Sequence, residues 1–223
     1  MTTMEYLKLS PELQTRFPGL DAQIVRFHDI TVKREDPILE EYKLEVFKET
    51  QEKWEIEKLR DDPEFRAYRD FFWKLGIDPT KNRPAAEALI RRVLRDKPIP
   101  KINTWVDVYN LVSITTAIPI ASFDVDLVDG TPLMREARSG EEFLGIGMKK
   151  PVTLSGGEAV IQDDERLIAI YPYRDAEYSK VNKNTKNVLM LMCGAPGITK
   201  KKLNEAADVA KKVLPRFCGG TVE

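Results

Sequence analysis

The chain has 223 residues, 42% of them hydrophobic, and its 35 Lys and Arg almost balance 36 Asp and Glu, leaving a net charge of −1. That is enough apolar material for a real core, in one large domain or two small ones, but no run approaches the roughly 18 residues a membrane helix needs. One histidine and two cysteines exclude a structural zinc cluster, and exclude Ser-His-Asp or Cys-His chemistry not routed through His28.

The opening residues lack the apolar stretch of a signal peptide, so a soluble, cytoplasmic protein is expected, with neither a membrane nor DNA as partner. With charge so evenly balanced, any RNA binding must come from a local patch. Pro18-Gly19 marks a turn, and the β-branched stretch 21–31, DAQIVRFHDIT, predicts a strand containing His28. Residues 37–60 place Leu39, Tyr42, Leu44, Val46, Phe47, Trp54, Ile56 and Leu59 at roughly helical spacing and predict one long helix. Asp62-Pro63 and Arg83-Pro84 are helix starts. The first helix runs to a stop at Gly76 and the second, bearing Ala86, Ile90 and Val93, runs through Leu94. Within the second, Glu87 stands one turn before Arg91 and is placed to pair with it. Phe72 and Trp73 are expected in the core, although either can stack a base. Asn103 can cap a helix reaching about Thr116.

Beyond Pro119 the texture changes to short apolar runs at 122–128, 133–137, 158–162, 167–171 and 188–192, separated by Gly, Asp and Pro, which are strand signals. A final helix is expected over 199–214. The order of elements predicts an α+β fold, a helical N-terminal part packed on a mixed β-sheet. Residues 1–60 are expected as an extension on a main domain of residues 61–223.

Three groups of polar residues stand out. Asn103, Asp107 and Asn110 should line one face of a helix among Ile102, Trp105, Val106, Leu111 and Val112. They form either a structural network, Asp107 clamping backbone donors near Asn103, or a pocket that reads a polar ligand. Arg174 and Asp175 follow a predicted strand and are either ligand-binding or a solvated turn. Arg83, Arg91, Arg92, Arg95 and Lys101 belong to the densest basic run, with Lys97 among them, and make either a solvated face or a grip on nucleic acid. Cys193, with no histidine near it in sequence, reads as a buried small apolar residue.

The segment INTWVDVYNLVSITTAIPIASFD, together with NTKNVLMLM at 184–192 and RFCGG at 216–220, resembles the tRNA-editing module of the phenylalanyl-tRNA synthetase β subunit, the B-three/B-four domain. GIDPTKNRPAAEALIRRVL at 76–94 resembles free-standing members of that family. The resemblance implies an editing-domain-like α+β fold with an amino-acid pocket near the signature helix, and tRNA or aminoacyl-tRNA as partner. It also shows departures. The family's HAFD stands here as Ala121 to Asp124, with Ala121 at the His position and Ser122 beside it. Leu191 occupies the position of the glutamate that recognises a tyrosine hydroxyl. A charged segment, YRDAEYSKV, replaces a glycine-rich loop.

The resemblance therefore implies a trans-acting aminoacyl-tRNA deacylase, a hydrolase that cleaves a mischarged ester and needs neither cofactor nor metal. Its expected substrate-binding residues are Asn103, Asp107, Asn110, Ser122, Arg174, Asp175 and Leu191. The alternative is a non-catalytic module that binds RNA, tRNA or an amino acid on the same fold.

Overall fold

Ser10, Asp36, Asp62, Asn103 and Thr199 each turn a side-chain oxygen onto a backbone N–H of the following turn, and each opens a helix. The computed structural model describes residues 4–223. Two short strands, β1 (Glu5–Tyr6) and β2 (Lys8–Leu9), precede α1 (Pro11–Arg16) and β3 (Ala22–His28). Four helices follow: α2 (Pro37–Lys53), α3 (Pro63–Lys74), α4 (Ala85–Val93) and α5 (Thr104–Thr116). Next come β4 (Ile120–Asp124), β5 (Leu133–Glu136), β6 (Glu142–Phe143) and β7 (Val152–Thr153). The chain finishes with β8 (Ala159–Gln162), β9 (Leu167–Ile170), β10 (Arg174–Asp175), β11 (Val188–Cys193), α6 (Lys200–Cys218) and β12 (Thr221–Val222).

These strands make two five-stranded sheets and a hairpin. The first runs β1-β3-β11-β4, all antiparallel, and β12 joins β3 beyond β1. The second runs β10-β9-β8-β5-β2 and is mixed, because β2 lies parallel to β5. The hairpin is β6-β7. The chain is therefore α+β with mixed β-structure, as its element order predicts.

The central strand β11 is buried along its whole length. A strand covered on both faces needs no polar alternation, which explains its unbroken VLMLMC. In β8 the two faces separate by period two. Ala159 and Ile161 join the main core with α5 and α6, while Val160 joins Phe143, Leu154 and Leu167 in a second cluster.

Four expectations need correction. The predicted helix over 37–60 ends at Lys53, where Trp54 turns extended and packs edge-on against Phe65 at 5.2 Å. Burying that ring and Leu59 outweighs the helical spacing of the tail. The strand expected over 122–128 stops at Asp124, whose carboxylate accepts from the N–H of Asp126 and the hydroxyl of Thr185, fixing a 3₁₀ turn over Val125–Leu127. The last helix passes through Pro215 to Cys218, because Phe217 and Cys218 continue its buried face. Phe72 is buried as expected, but Trp73 is 56% exposed.

His28 does lie in a strand, half-exposed, its Nε2 3.3 Å from Glu223 Oε2. Among the described residues, no helix is long and apolar enough to cross a membrane.

Candidate functional site

A pocket of about 80 Å³ opens where β4 and β11 meet the end of β9. Its apolar walls come from Pro119, Ile120 and Ala121 of the β4 strand and its approach, Ile161 of β8, Ala169 and Ile170 of β9, and Cys193 of β11. The segment from Tyr171 to Asp175 supplies the remaining side, and Ala85, the first residue of α4, completes it.

Asp175 is the carboxylate of this lining. It sits opposite Ala169 in the β9–β10 pair, and its Oδ2 accepts a long hydrogen bond, 3.4 Å, from the backbone N–H of Ser122. Burial pushes its pKa up to about 7, with the Ser122 hydrogen bond pulling weakly the other way. The pocket thus holds an acid that exchanges its proton near neutrality. Two neighbours register it: burial, then the charge of Asp175, pushes up both the Tyr109 hydroxyl and the Cys193 thiol. Cys193 is 2% exposed and its thiol stays protonated, consistent with an inert wall residue.

Arg174 alternates to the other face of its strand. Its Nη1 donates to the carbonyl of Ile146 at 3.0 Å and its guanidinium stands 5.2 Å from the centre of the Tyr173 ring. The side chain of Ser122 faces away from Asp175, its Oγ accepting from Trp105 Nε1 at 2.8 Å inside the core. Leu191 is fully buried and lies opposite Ala121 in the β4–β11 register.

The three polar residues of α5 are not brought into this pocket. Asn103 is the helix cap, its Oδ1 accepting from Val106 N at 2.9 Å. Asp107 Oδ1 accepts from Ile102 N at 2.9 Å, so the two side chains clamp the start of α5. Burial pushes the Asp107 carboxyl up, and the charges that bear on it are Lys43, Glu40 and Lys101, on the α2 side of the helix. Asn110 is half-buried one turn further along.

A second feature adjoins the pocket. Lys81, Arg83, Arg91, Arg92, Arg95 and Lys97 surround a cleft of about 270 Å³ on α4 and the loops at its two ends. Lys81 approaches Asp78 at 3.9 Å, whereas Arg83, Arg95 and Lys97 form no ion pair among the described residues. Arg92 Nε donates to the carbonyl of Pro98 at 2.8 Å. Lys101 is not part of the cleft and pairs instead with Glu35 and Glu40, each at 3.2 Å.

Pocket and cleft share one short segment. Lys81 and Arg83 belong to the cleft, Ala85 to the pocket, and between them Asn82 Oδ1 accepts from the Tyr173 hydroxyl at 3.4 Å. The wall between them is anchored by Glu87, fully buried, which receives two hydrogen bonds from Arg69 at 2.6 and 2.8 Å and one from Arg91 at 2.7 Å. Burial alone would raise the Glu87 pKa, but the hydrogen bonds from the two guanidinium groups outweigh it and hold the carboxyl below its ordinary value.

Sequence reading did not find Tyr109, Ala169, Ile161 or Tyr173. These are apolar or aromatic residues whose roles arise only when two sheets meet. Lys81, by contrast, stood in plain view two residues before Arg83. No group of three or more His, Cys, Asp or Glu among the described residues is placed to hold a metal ion.

The site is thus a small acid-bearing apolar pocket beside a basic cleft, on an α+β module. The B3/4 domain family matches residues 67–219, and the chain belongs to that family. Over 108 residues it is 32% identical to the phenylalanine–tRNA ligase β subunit of Yersinia pestis, covering 48% of this chain and 14% of that protein. The same subunit from Fusobacterium nucleatum is 32% identical over 97 residues, covering 44% of this chain and 12% of the relative. The chain thus spans a small part of these relatives' length. In structure it is similar to an N-terminal fragment of the phenylalanyl-tRNA synthetase β subunit from Pyrococcus horikoshii. The TM-score is 0.50 at 15% identity, over 100% of this chain and 53% of that one.

Proposed function

We propose that the protein hydrolyses the ester of a mischarged aminoacyl-tRNA in trans, as a cytoplasmic editing factor. The observation that carries this reading is the shared segment 81–85: an apolar pocket with one carboxyl group lies directly beside a basic cleft. An aminoacyl-tRNA presents that pairing of an amino acid beside closely spaced phosphates. The relatives' names, phenylalanine–tRNA ligase β subunits, support the same substrate class.

The chemistry asks little of the protein. Water adds to the ester carbonyl carbon, the bond to the ribose oxygen breaks, and that oxygen leaves with a proton. Asp175, titrating near 7, is suited to take the proton from water and return it to the departing ribose oxygen. In its ionised form it also attracts the substrate's α-ammonium group. Positioning supplies much of the remaining rate, because the ester is already activated. The basic cleft would hold the acceptor end through its phosphates, with Arg83, Arg92 and Arg95 as the outer contacts.

The test is a panel of tRNAs charged with correct and incorrect amino acids, followed for loss of the ester. Selective release from a mischarged species is the expected result. Binding of tRNA with no release from any member would leave a non-catalytic binding module instead.

A further inference from the structure

Two departures from the resemblance lie at or next to the pocket wall, Ala121 on it and Leu191 beside it in the sheet. Ala121 and Leu191 stand opposite each other in the sheet, and Cys193, two residues on, points to the same face as Leu191. Where the resemblance implied a histidine, the wall is the methyl group of Ala121 beside the Cys193 thiol, and where it implied a hydroxyl-reading glutamate, Leu191 is fully buried behind that wall. The nearby polar hydrogens are already used. The Tyr171 hydroxyl donates to the Gly194 carbonyl at 2.7 Å, and the Cys193 thiol lies 3.7 Å from the Leu191 carbonyl. Opposite this wall stand Ala169 and Ile161, and the one carboxyl group, Asp175, enters from β10.

Resting on the deacylase reading, we infer that the amino acid accepted here is small and aliphatic, of alanine to valine size. Its side chain lies between Ala121 and Ala169, and its α-ammonium lies on Asp175. Size decides this more than polarity. A cavity of about 80 Å³ corresponds to two or three waters at roughly 30 Å³ each. That matches an alanyl or valyl group and falls well short of a tyrosyl one. Polarity works in the same direction, because a phenolic hydroxyl pushed against this wall would exchange water for carbon and sulfur. The charged end is served differently: Asp175 follows Tyr173 and Arg174 in the lining and belongs to β10, in the sheet that does not contain β4. The ester carbon then lies between the acid and the ribose, where water must attack.

The experiment has two arms on the full chain. One follows hydrolysis of tRNAs charged with alanine, valine, phenylalanine and tyrosine. The other measures calorimetric binding of the matching 3′-amide-linked aminoacyl-adenosines, which cannot be hydrolysed. Expected are kcat/KM values at least ten-fold higher for the alanyl and valyl esters than for the aromatic ones, and the same order in binding. An equal or reversed order in either arm overturns the inference and leaves the deacylase reading standing. Aliphatic binding without any hydrolysis overturns the deacylase reading and leaves the size selection standing. No binding of any analogue overturns both. The variant Ala121→Leu should weaken binding of the valyl analogue at least ten-fold. Should it fail to fold, the wild-type order of affinities still decides.

Discussion

Asp175 shows how a single residue sets a measurable property of the molecule. Its folded pKa is about 7 against an ordinary value of 3.8, and burial is the cause. Between those values the unfolded chain has lost the proton while the folded one retains it, so folding stability falls as pH rises through that window and levels off above it. Below 3.8 both states are protonated and the contribution vanishes. Asp175→Asn keeps the shape and an acceptor for the Ser122 N–H but removes the charge. It should raise the stability at pH 8 by on the order of 2–4 kcal/mol and change little at pH 4, read as melting temperature across the range. An equal effect at both pH values would mean that burial is not what perturbs this acid. Asp175 was visible in the sequence as a charged residue after a strand, but its half-buried place in the pocket was not, because its fellow lining residues Ala121, Ala169 and Cys193 are ordinary apolar letters. Asn103 and Asp107 went the other way. They drew notice as polar residues among apolar ones, and their oxygens are engaged by the first turn of α5 and the residue before it.

Helix starts were legible because capping is chemistry confined to a few neighbouring residues. Helix ends were less so: Trp54 leaves α2 for a contact with Phe65, and α6 continues past Pro215 to bury Phe217. In both cases partners distant in sequence decided. The pairing of α3 with α4 belongs to this scale as well. The i,i+4 spacing announced the contact between Glu87 and Arg91, but not the two bonds from Arg69 across the helices. Glu87→Gln leaves both guanidinium groups without an anion in a site where Glu87 has no exposure. The expected cost is about 3–5 kcal/mol in urea unfolding. A loss below about 1 kcal/mol, the range of surface pairs, would show that water already relieves the site.

For the molecule as a whole, the α+β order of elements was readable from the change of texture at Pro119, whereas the division into two sheets was not. Short apolar runs of similar composition do not reveal which of them pair. The pocket forms where the two sheets meet, with the cleft on the helical side. With a net charge of −1, the proposed RNA binding has to come from a local patch, and that cleft is the one proposed. Replacing Arg83, Arg92 and Arg95 together by Ala, and leaving Arg91 to its pairing with Glu87, should lower tRNA affinity. It should also flatten the plot of log K against log salt by about two to three. Hydrolysis of a minimal aminoacyl ester without tRNA should be unchanged. An unaltered salt slope would place the RNA on another face.

The segment 81–85 lines both the cleft and the pocket, so under the proposed function it would be the element that couples them. Any displacement of it by a phosphate in the cleft changes the free energy of whatever occupies the pocket. Reciprocity then requires the pocket's ligand to change the affinity for that phosphate by the same factor.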